Sequence, residues 1–142
     1  MSVFTYKMRV YYGETDKMGV AYYANYFVWY ERARTEFLRK CGFPYFEIEK
    51  KGLFLPVVHA ACKYISSVTY DDVICIETWI SRLDGARVKF KYSVRKEDGS
   101  LVSTGETFHG FVDRQGKACR VQKDVKIFIE SVVEKDREIP AK

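Results

Sequence analysis

The sequence has few of the residues that hold metal ions or cross-link small proteins. Its 142 residues include four cysteines and two histidines, and no pair of cysteines has the Cys-x-x-Cys spacing of zinc sites. We therefore expect no metal site. The cysteines are expected to be mostly buried thiols in a reducing compartment: Cys41, Cys62, Cys75 and Cys119.

Long apolar runs are also missing. No segment of 18 or more apolar residues is present, so we expect no transmembrane helix. The first ten residues alternate between polar and apolar, unlike a signal peptide, and a cytoplasmic location is expected. With no repeat or linker, the length predicts a single domain over residues 1–142, with a frayed tail from about residue 134.

Positive charge and aromatic side chains are abundant instead. Lys and Arg total 24 against 19 Asp and Glu, which gives a net charge of +5. This excess favours an acidic partner: a nucleic acid, a membrane surface or a phosphorylated small ligand. The 11 Tyr and 10 Phe allow a sizeable aromatic core.

Hydrophobic periodicity predicts one long helix among strands. Alternating patterns predict strands over residues 3–12, 57–68, 73–83, 86–96 and 101–112. A three-to-four-residue period predicts an amphipathic helix over 22–41, with an aromatic stripe from Tyr22 to Phe37. Shorter helices are predicted over 45–51 and 123–133.

The connections between strands indicate the fold class. Asp84-Gly85 predicts a tight hairpin, and residues 97–99 predict a second turn. No other long helix is available for parallel crossovers. The sequence therefore predicts an α+β fold, in which one antiparallel sheet curls around one long central helix. Pairing of two subunits would cover the exposed sheet edges.

The densest chemical information lies in residues 14–26, where a carboxylate-bearing loop enters the long helix. The first helical turn offers unpaired N–H groups that stabilise an oxyanion on a bound carbonyl. Asp16 would act from the other side, as a general base on water or as a nucleophile. Gly19 would allow close approach of a ligand. From the residues alone, a loop Asp before a helix more often forms a turn or caps the helix.

These residues resemble the signature of the hotdog-fold thioesterases, in particular the 4-hydroxybenzoyl-CoA thioesterase family. The similar positions are Asp16, Gly19, Val20-Ala21, Tyr22, Tyr23 and Tyr26, followed by Trp29, Lys40-Cys41-Gly42 with Pro44, and residues 70–73 and 76–78. The resemblance implies a hotdog homodimer, often paired into a homotetramer, with active sites at the subunit interface. It also implies a substrate that is an acyl-CoA or an acyl group on protein-bound pantetheine, hydrolysed without a cofactor.

The resemblance also implies roles for single residues. Asp16 would be the catalytic carboxylate, and the backbone N–H of Tyr23 would polarise the thioester carbonyl. The expected substrate-binding residues are Gly19, Val20, Tyr26, Val58, His59, Arg82 and Arg87.

The sequence departs from the family in two places. A related Tol–Pal-linked branch has His where this chain has Tyr23. The basic hairpin cluster of some members is replaced by Asp84-Gly85-Ala86, so the flanking Arg82 and Arg87 are the candidates for CoA phosphate contacts. His59 fits either the acyl pocket or a structural role, and His109 is expected to be structural.

Two other functions stay open beside the thioester hydrolase. One is a non-catalytic module that binds acyl-CoA or an acyl carrier, because a fold does not by itself confer activity. The other is a nucleic-acid binder that uses the basic strand face of Arg87, Lys89, Lys91 and Arg95. The neighbouring aromatics alternate onto the opposite face, so we expect no nucleic-acid partner.

Overall fold

A computed structural model describes residues 3–135 and 137–140. Its antiparallel strands are β1 (Val3–Arg9), β2 (Val57–Tyr64), β3 (Val73–Asp84), β4 (Arg87–Lys96) and β5 (Leu101–Gly110). They form one sheet in the order β1-β3-β4-β5-β2. The helices are α1 (Asn25–Lys40), α2 (Tyr45–Lys50) and α3 (Lys123–Val132), and a 3-10 turn covers Tyr12–Glu14. The predicted α+β architecture is confirmed.

The core lies between α1 and the concave face of the sheet. Buried aromatic side chains of α1 pack against alternate residues of β3 and β4, as the strand periodicity predicts. The Tyr30 ring stacks on Tyr92, with centroids 4.3 Å apart and planes 7° apart. Gly105 on β5 makes this possible, because a Cβ atom there would lie 2.4 Å from Tyr30 Cε2.

Three local predictions need correction. β1 ends at Arg9, and Tyr12 is 76% exposed because the chain leaves the sheet into the 3-10 turn. The long helix begins at Asn25, so Tyr22, 45% exposed, lies outside the aromatic stripe. The hairpin turn is Gly85-Ala86, since Asp84 still pairs with Arg87, and Gly85 takes a positive φ of 61°.

The cysteines are half-buried thiols that form no disulfide, so the expectation that they are mostly buried is wrong. For Cys62 the reason is its position on the edge strand β2. No helix in residues 3–135 or 137–140 is long and apolar enough to cross a membrane. The same residues contain no group of three or more His, Cys, Asp or Glu side chains suited to a metal ion.

The segment after α3 crosses the convex face of the sheet. The Glu134 N–H donates to the Ile80 carbonyl at 2.9 Å, and the Arg137 guanidinium lies 5.2 Å from the Trp79 ring. Arg95 donates to the Pro140 carbonyl at 2.7 Å. Of the tail predicted to fray, Asp136, Ala141 and Lys142 lie outside the described residues.

The edge strand β2 is exposed along nearly its whole length. All its residues except Cys62 are exposed, including the apolar Val57 and Val58 at one end and Tyr64 at the other. An exposed edge with apolar side chains is a ready surface for pairing with another strand.

Candidate functional site

Asp16 lies in a tight loop that is closed by its own backbone. The Asp16 N–H donates to the Val20 carbonyl at 3.0 Å, and the Gly19 N–H donates to the Asp16 carbonyl at 2.9 Å. Gly19 has a φ of +83°, a conformation that side chains other than glycine rarely adopt. The structure thus places Gly19 in the turn that holds Asp16.

The Asp16 carboxylate is oriented on one side only. Its Oδ1 accepts the Met18 N–H at 2.8 Å, as in an Asx turn. Within the described part of the chain, its other oxygen has no hydrogen-bond partner, and the side chain is exposed. The carboxylate therefore has a fixed direction and one oxygen left for water or substrate.

The backbone just before α1 carries unpaired donors. The Tyr22 N–H donates to the Glu14 carbonyl at 2.8 Å, and the Asn25 N–H donates to the Tyr22 carbonyl at 3.0 Å. Between them, the N–H groups of Tyr23 and Ala24 have no acceptor among residues 3–135 and 137–140. They precede a helix N-terminus, where the helix dipole favours negative charge. Unpaired N–H groups in such a position can stabilise an oxyanion.

Asp16 and Tyr23 line the same cavity, of about 350 Å³. Its lining is Asp16, Val20, Ala21, Tyr23, Tyr26, Tyr64, Ile65, Ser66 and Ser67. The structure thus brings Asp16, Val20, Tyr23 and Tyr26 together, as expected from the sequence. We call this space the Asp16 cavity.

Tyrosines form one wall of the Asp16 cavity. The Tyr64 hydroxyl donates to the Tyr23 carbonyl at 2.9 Å, and its ring meets the Tyr26 ring edge-on at 4.8 Å. Burial raises the pKa of Tyr26 to about 12, so its hydroxyl stays protonated at neutral pH. Tyr64 was not predicted as a site residue, because only the fold places the end of β2 beside the Asp16 loop.

A second cavity, of about 450 Å³, lies beside the β3–β4 hairpin. It is lined by Val58, His59, Arg82, Asp84, Arg87, Val88, Lys89 and Phe108. Four predicted substrate-binding residues therefore meet here: Val58, His59, Arg82 and Arg87. We call this the hairpin cavity. Within one chain it is separate from the Asp16 cavity, because the two adjoin opposite ends of β2.

The hairpin cavity is rich in cations. Lys89 Nζ lies 3.2 Å from a Glu106 carboxylate oxygen and 4.9 Å from the Phe108 ring centre. Arg82 pairs with Asp84 at 3.6 Å, and Arg87 has no ion pair among the described residues. Three cations face two carboxylates, so the cavity keeps positive charge. From the sequence, Lys89 was placed only on a basic strand face. The same alternation puts Lys89 beside the candidate Arg87, so it could have indicated Lys89 as a site residue too.

The basic strand face is interrupted by carboxylates. Glu106 lies opposite Lys91 in the β4–β5 register and pairs with Lys89, while Phe90 and Tyr92 are buried on the other face, as predicted. Stacking platforms for nucleic acids need aromatics and cations on one surface. The face therefore gives no support to nucleic-acid binding.

His109 lies in the core, in a chain of hydrogen bonds. Its Nδ1 donates to the Leu55 carbonyl at 2.9 Å, so its Nε2 accepts from the Thr107 hydroxyl at 2.8 Å. Thr107 in turn accepts from the Tyr92 hydroxyl at 2.7 Å, and Arg34 donates to that hydroxyl at 3.3 Å. Burial lowers the pKa of His109 to about 4, which keeps the ring neutral.

Known proteins are similar to this chain over the residues that line both cavities. The model of the thioesterase-like superfamily matches residues 10–129. Acyl-CoA thioester hydrolase YbgC of Escherichia coli is 31% identical over 112 residues, which cover 79% of this chain and 84% of that protein.

Solved structures agree with this match. A hypothetical protein of Aquifex aeolicus has a TM-score of 0.84 at 36% identity, over 89% of this chain and 98% of that one. The DHNA-CoA thioesterase of Staphylococcus aureus has a TM-score of 0.88 at 32% identity, over 93% of this chain and 91% of that one. The expected hotdog arrangement of sheet and helix is confirmed.

Proposed function

The chain belongs to the thioesterase-like superfamily, and from that premise we propose that it hydrolyses acyl-CoA thioesters to a free acid and CoA. The observation that carries this proposal is the Asp16 cavity, which is lined both by the exposed Asp16 and by Tyr23, whose N–H is unpaired among the described residues. A carboxylate and an oxyanion donor in one cavity are what acyl transfer to water requires.

The reaction would use the two groups from opposite sides of the thioester. The carbonyl oxygen accepts the N–H of Tyr23, and the developing negative charge is stabilised there. The Asp16 carboxylate either takes a proton from the attacking water or attacks the carbonyl carbon itself. In the second route water then hydrolyses the resulting anhydride. Either way a C–O bond replaces the C–S bond, and the thiolate of CoA leaves and takes up a proton.

The hairpin cavity would hold the phosphates of CoA. Arg82, Arg87 and Lys89 supply positive charge, and guanidinium groups match phosphate geometry. Val58 and His59 form the wall on the β2 side. This assignment favours CoA over a carrier-bound pantetheine, which has a single phosphate.

A second copy of the chain would join the two cavities. Tyr64 at one end of β2 lines the Asp16 cavity, and Val58 and His59 at the other end line the hairpin cavity. Antiparallel pairing of β2 with the same strand of a partner sets these ends side by side. Each site then combines the Asp16 cavity of one chain with the hairpin cavity of the other. We propose a homodimer, or a dimer of dimers, in the cytoplasm, where the thiols stay reduced.

The test is thiol release from a panel of acyl-CoAs. Straight-chain acyl-CoAs of increasing length and benzoyl-CoA are incubated with the protein, and free CoA is measured with a thiol reagent. Catalytic release from at least one of them supports the proposal. Binding of acyl-CoA without release would instead favour the non-catalytic module. Light scattering on the same sample reports the subunit number.

A further inference from the structure

Glu14 immediately precedes the Asp16 loop, and its side chain joins two distant parts of the chain. Its Oε1 accepts the Tyr11 N–H at 2.8 Å, and its Oε2 accepts the Trp29 indole N–H at 2.9 Å. Trp29 is fully buried in the second turn of α1, so this carboxylate ties the turn before the loop to the helix after it.

The main chain of Glu14 makes the same connection. Its carbonyl accepts the Tyr22 N–H at 2.8 Å and the Asn25 side-chain amide at 2.8 Å. The loop that carries Asp16 starts after Glu14 and ends at Tyr22, so both of its ends are held by one residue. The next N–H along the chain is that of Tyr23, which stays unpaired.

A carboxylate suits this place better than its amide. Both partners of the side chain are N–H donors, and a carboxylate offers an acceptor to each. A glutamine offers one acceptor, and its NH₂ group would face the other donor. The partners are neutral, so Glu14 forms no ion pair among the residues that the structure describes.

We propose that Glu14 is a positioning residue for thioester cleavage, which fixes the separation of the Asp16 carboxylate and the Tyr23 N–H. This inference rests on the proposed function. Glu14 does not line the Asp16 cavity and acts only through the loop and the helix it joins. Misplacement of reacting groups by about 1 Å costs about 100-fold in rate, so a loosened clamp reduces turnover without removing a reacting group.

The first test compares Glu14→Gln with Glu77→Gln in the thiol-release assay. Glu77 is a matched control, a half-buried glutamate on β3 that pairs with Arg137 at 3.5 Å on the convex face. We expect Glu14→Gln to lower kcat by about 10- to 100-fold with KM changed less than about 3-fold, at unchanged circular dichroism. Glu77→Gln should keep the parental kcat. A parental kcat in Glu14→Gln, or a loss matched by the unfolded fraction, would overturn the proposal.

The second test does not depend on activity. Hydrogen–deuterium exchange is followed in peptides covering residues 15–24 and in peptides from β3 and β4. Glu14→Gln should speed exchange in the first by at least about 10-fold and leave the strands unchanged, because only the loop is released. Equal protection of residues 15–24 in both proteins contradicts the clamp. A wild-type protein that releases no thiol refutes the proposed function instead, so the two failures are distinguishable.

Discussion

The two cavities at the ends of β2 are built in different ways. The Asp16 cavity depends on main-chain groups: a glycine turn, the N–H of Tyr23 and a loop held at both ends by Glu14. The hairpin cavity depends on side-chain charge, and its Arg82 is 57% exposed. Stabilising a developing charge requires donors that are already in place, whereas holding phosphates tolerates flexible cations. The difference is the one we expect between the proposed place for chemistry and the proposed place for phosphate binding.

Removing the Asp16 carboxylate should have the largest effect. Asp16→Asn keeps the shape of the side chain and the acceptor for Met18, but it removes the negative charge that both proposed routes need. We expect kcat to fall by about 10²- to 10⁴-fold, with KM nearly unchanged. Steady-state kinetics with the best acyl-CoA of the panel checks this. A mainly raised KM would show that Asp16 binds substrate instead.

The buried His109 should make the stability of the folded protein sensitive to acid. The pKa of His109 is about 4 in the folded protein and 6.5 in the unfolded chain, so the unfolded state binds the proton first as pH falls. Its contribution to stability is present above pH 6.5 and is lost between pH 6.5 and 4, up to about 3 kcal/mol.

Urea unfolding at pH 7 and pH 4.5 measures this loss. His109→Gln should lack the His109 component of the pH dependence, and the exposed His59→Gln should retain it. An identical pH dependence in His109→Gln and the wild type would contradict the assignment.

The packing of β5 against α1 at Gly105 should tolerate no added atom. Gly105→Ala places a Cβ against the ring of Tyr30, one helical turn beyond Tyr26, and should destabilise the protein by about 1–3 kcal/mol. Gly110→Ala on the same strand is the control, because its Cβ would meet only Val58 Cγ1 at 3.7 Å. Denaturation midpoints of the two variants test this, and equal midpoints would show that the core adapts.

Removing one cation from the hairpin cavity should have the smallest effect. Arg87→Gln should raise KM for acyl-CoA by about 2- to 5-fold, the size expected of one exposed ionic contact, with kcat unchanged. Added salt should reduce the difference in KM between Arg87→Gln and the wild type, because salt screens exposed charges. Lys7→Gln, which removes a surface cation paired with Glu97, should leave KM unchanged. An unchanged KM in Arg87→Gln would show that the CoA phosphates bind elsewhere.

Local patterns were sufficient for most of the fold. Alternation predicted β4, whose Val88, Phe90, Tyr92 and Val94 are buried, and the helical period predicted the stripe of α1 from Tyr26 onward. Tyr22 and Tyr12 were misplaced because hydrogen bonds of the Asp16 loop and its 3-10 turn override the local pattern. These hydrogen bonds join residues that do not follow the strand or helix period, so the periodicity of the sequence could not predict them.

The candidate site was predictable only in part. The segment around Asp16 and Tyr23 is contiguous, so the family signature was enough to find it. Tyr64 and Glu14 were not identified as site residues, because their roles depend on contacts across the fold. The separation of Val58 and His59 from Asp16 within one chain also follows only from the sheet order.

A crystal structure of Asp16→Asn with an uncleaved acyl-CoA would show directly where the thioester binds. We expect the thioester carbonyl oxygen within about 3 Å of the Tyr23 nitrogen, a hydrogen-bond distance. We also expect the CoA phosphates in the hairpin cavity of the second chain, across paired β2 strands. A thioester bound away from Tyr23, or phosphates in a cavity of the same chain, would contradict the proposed mechanism.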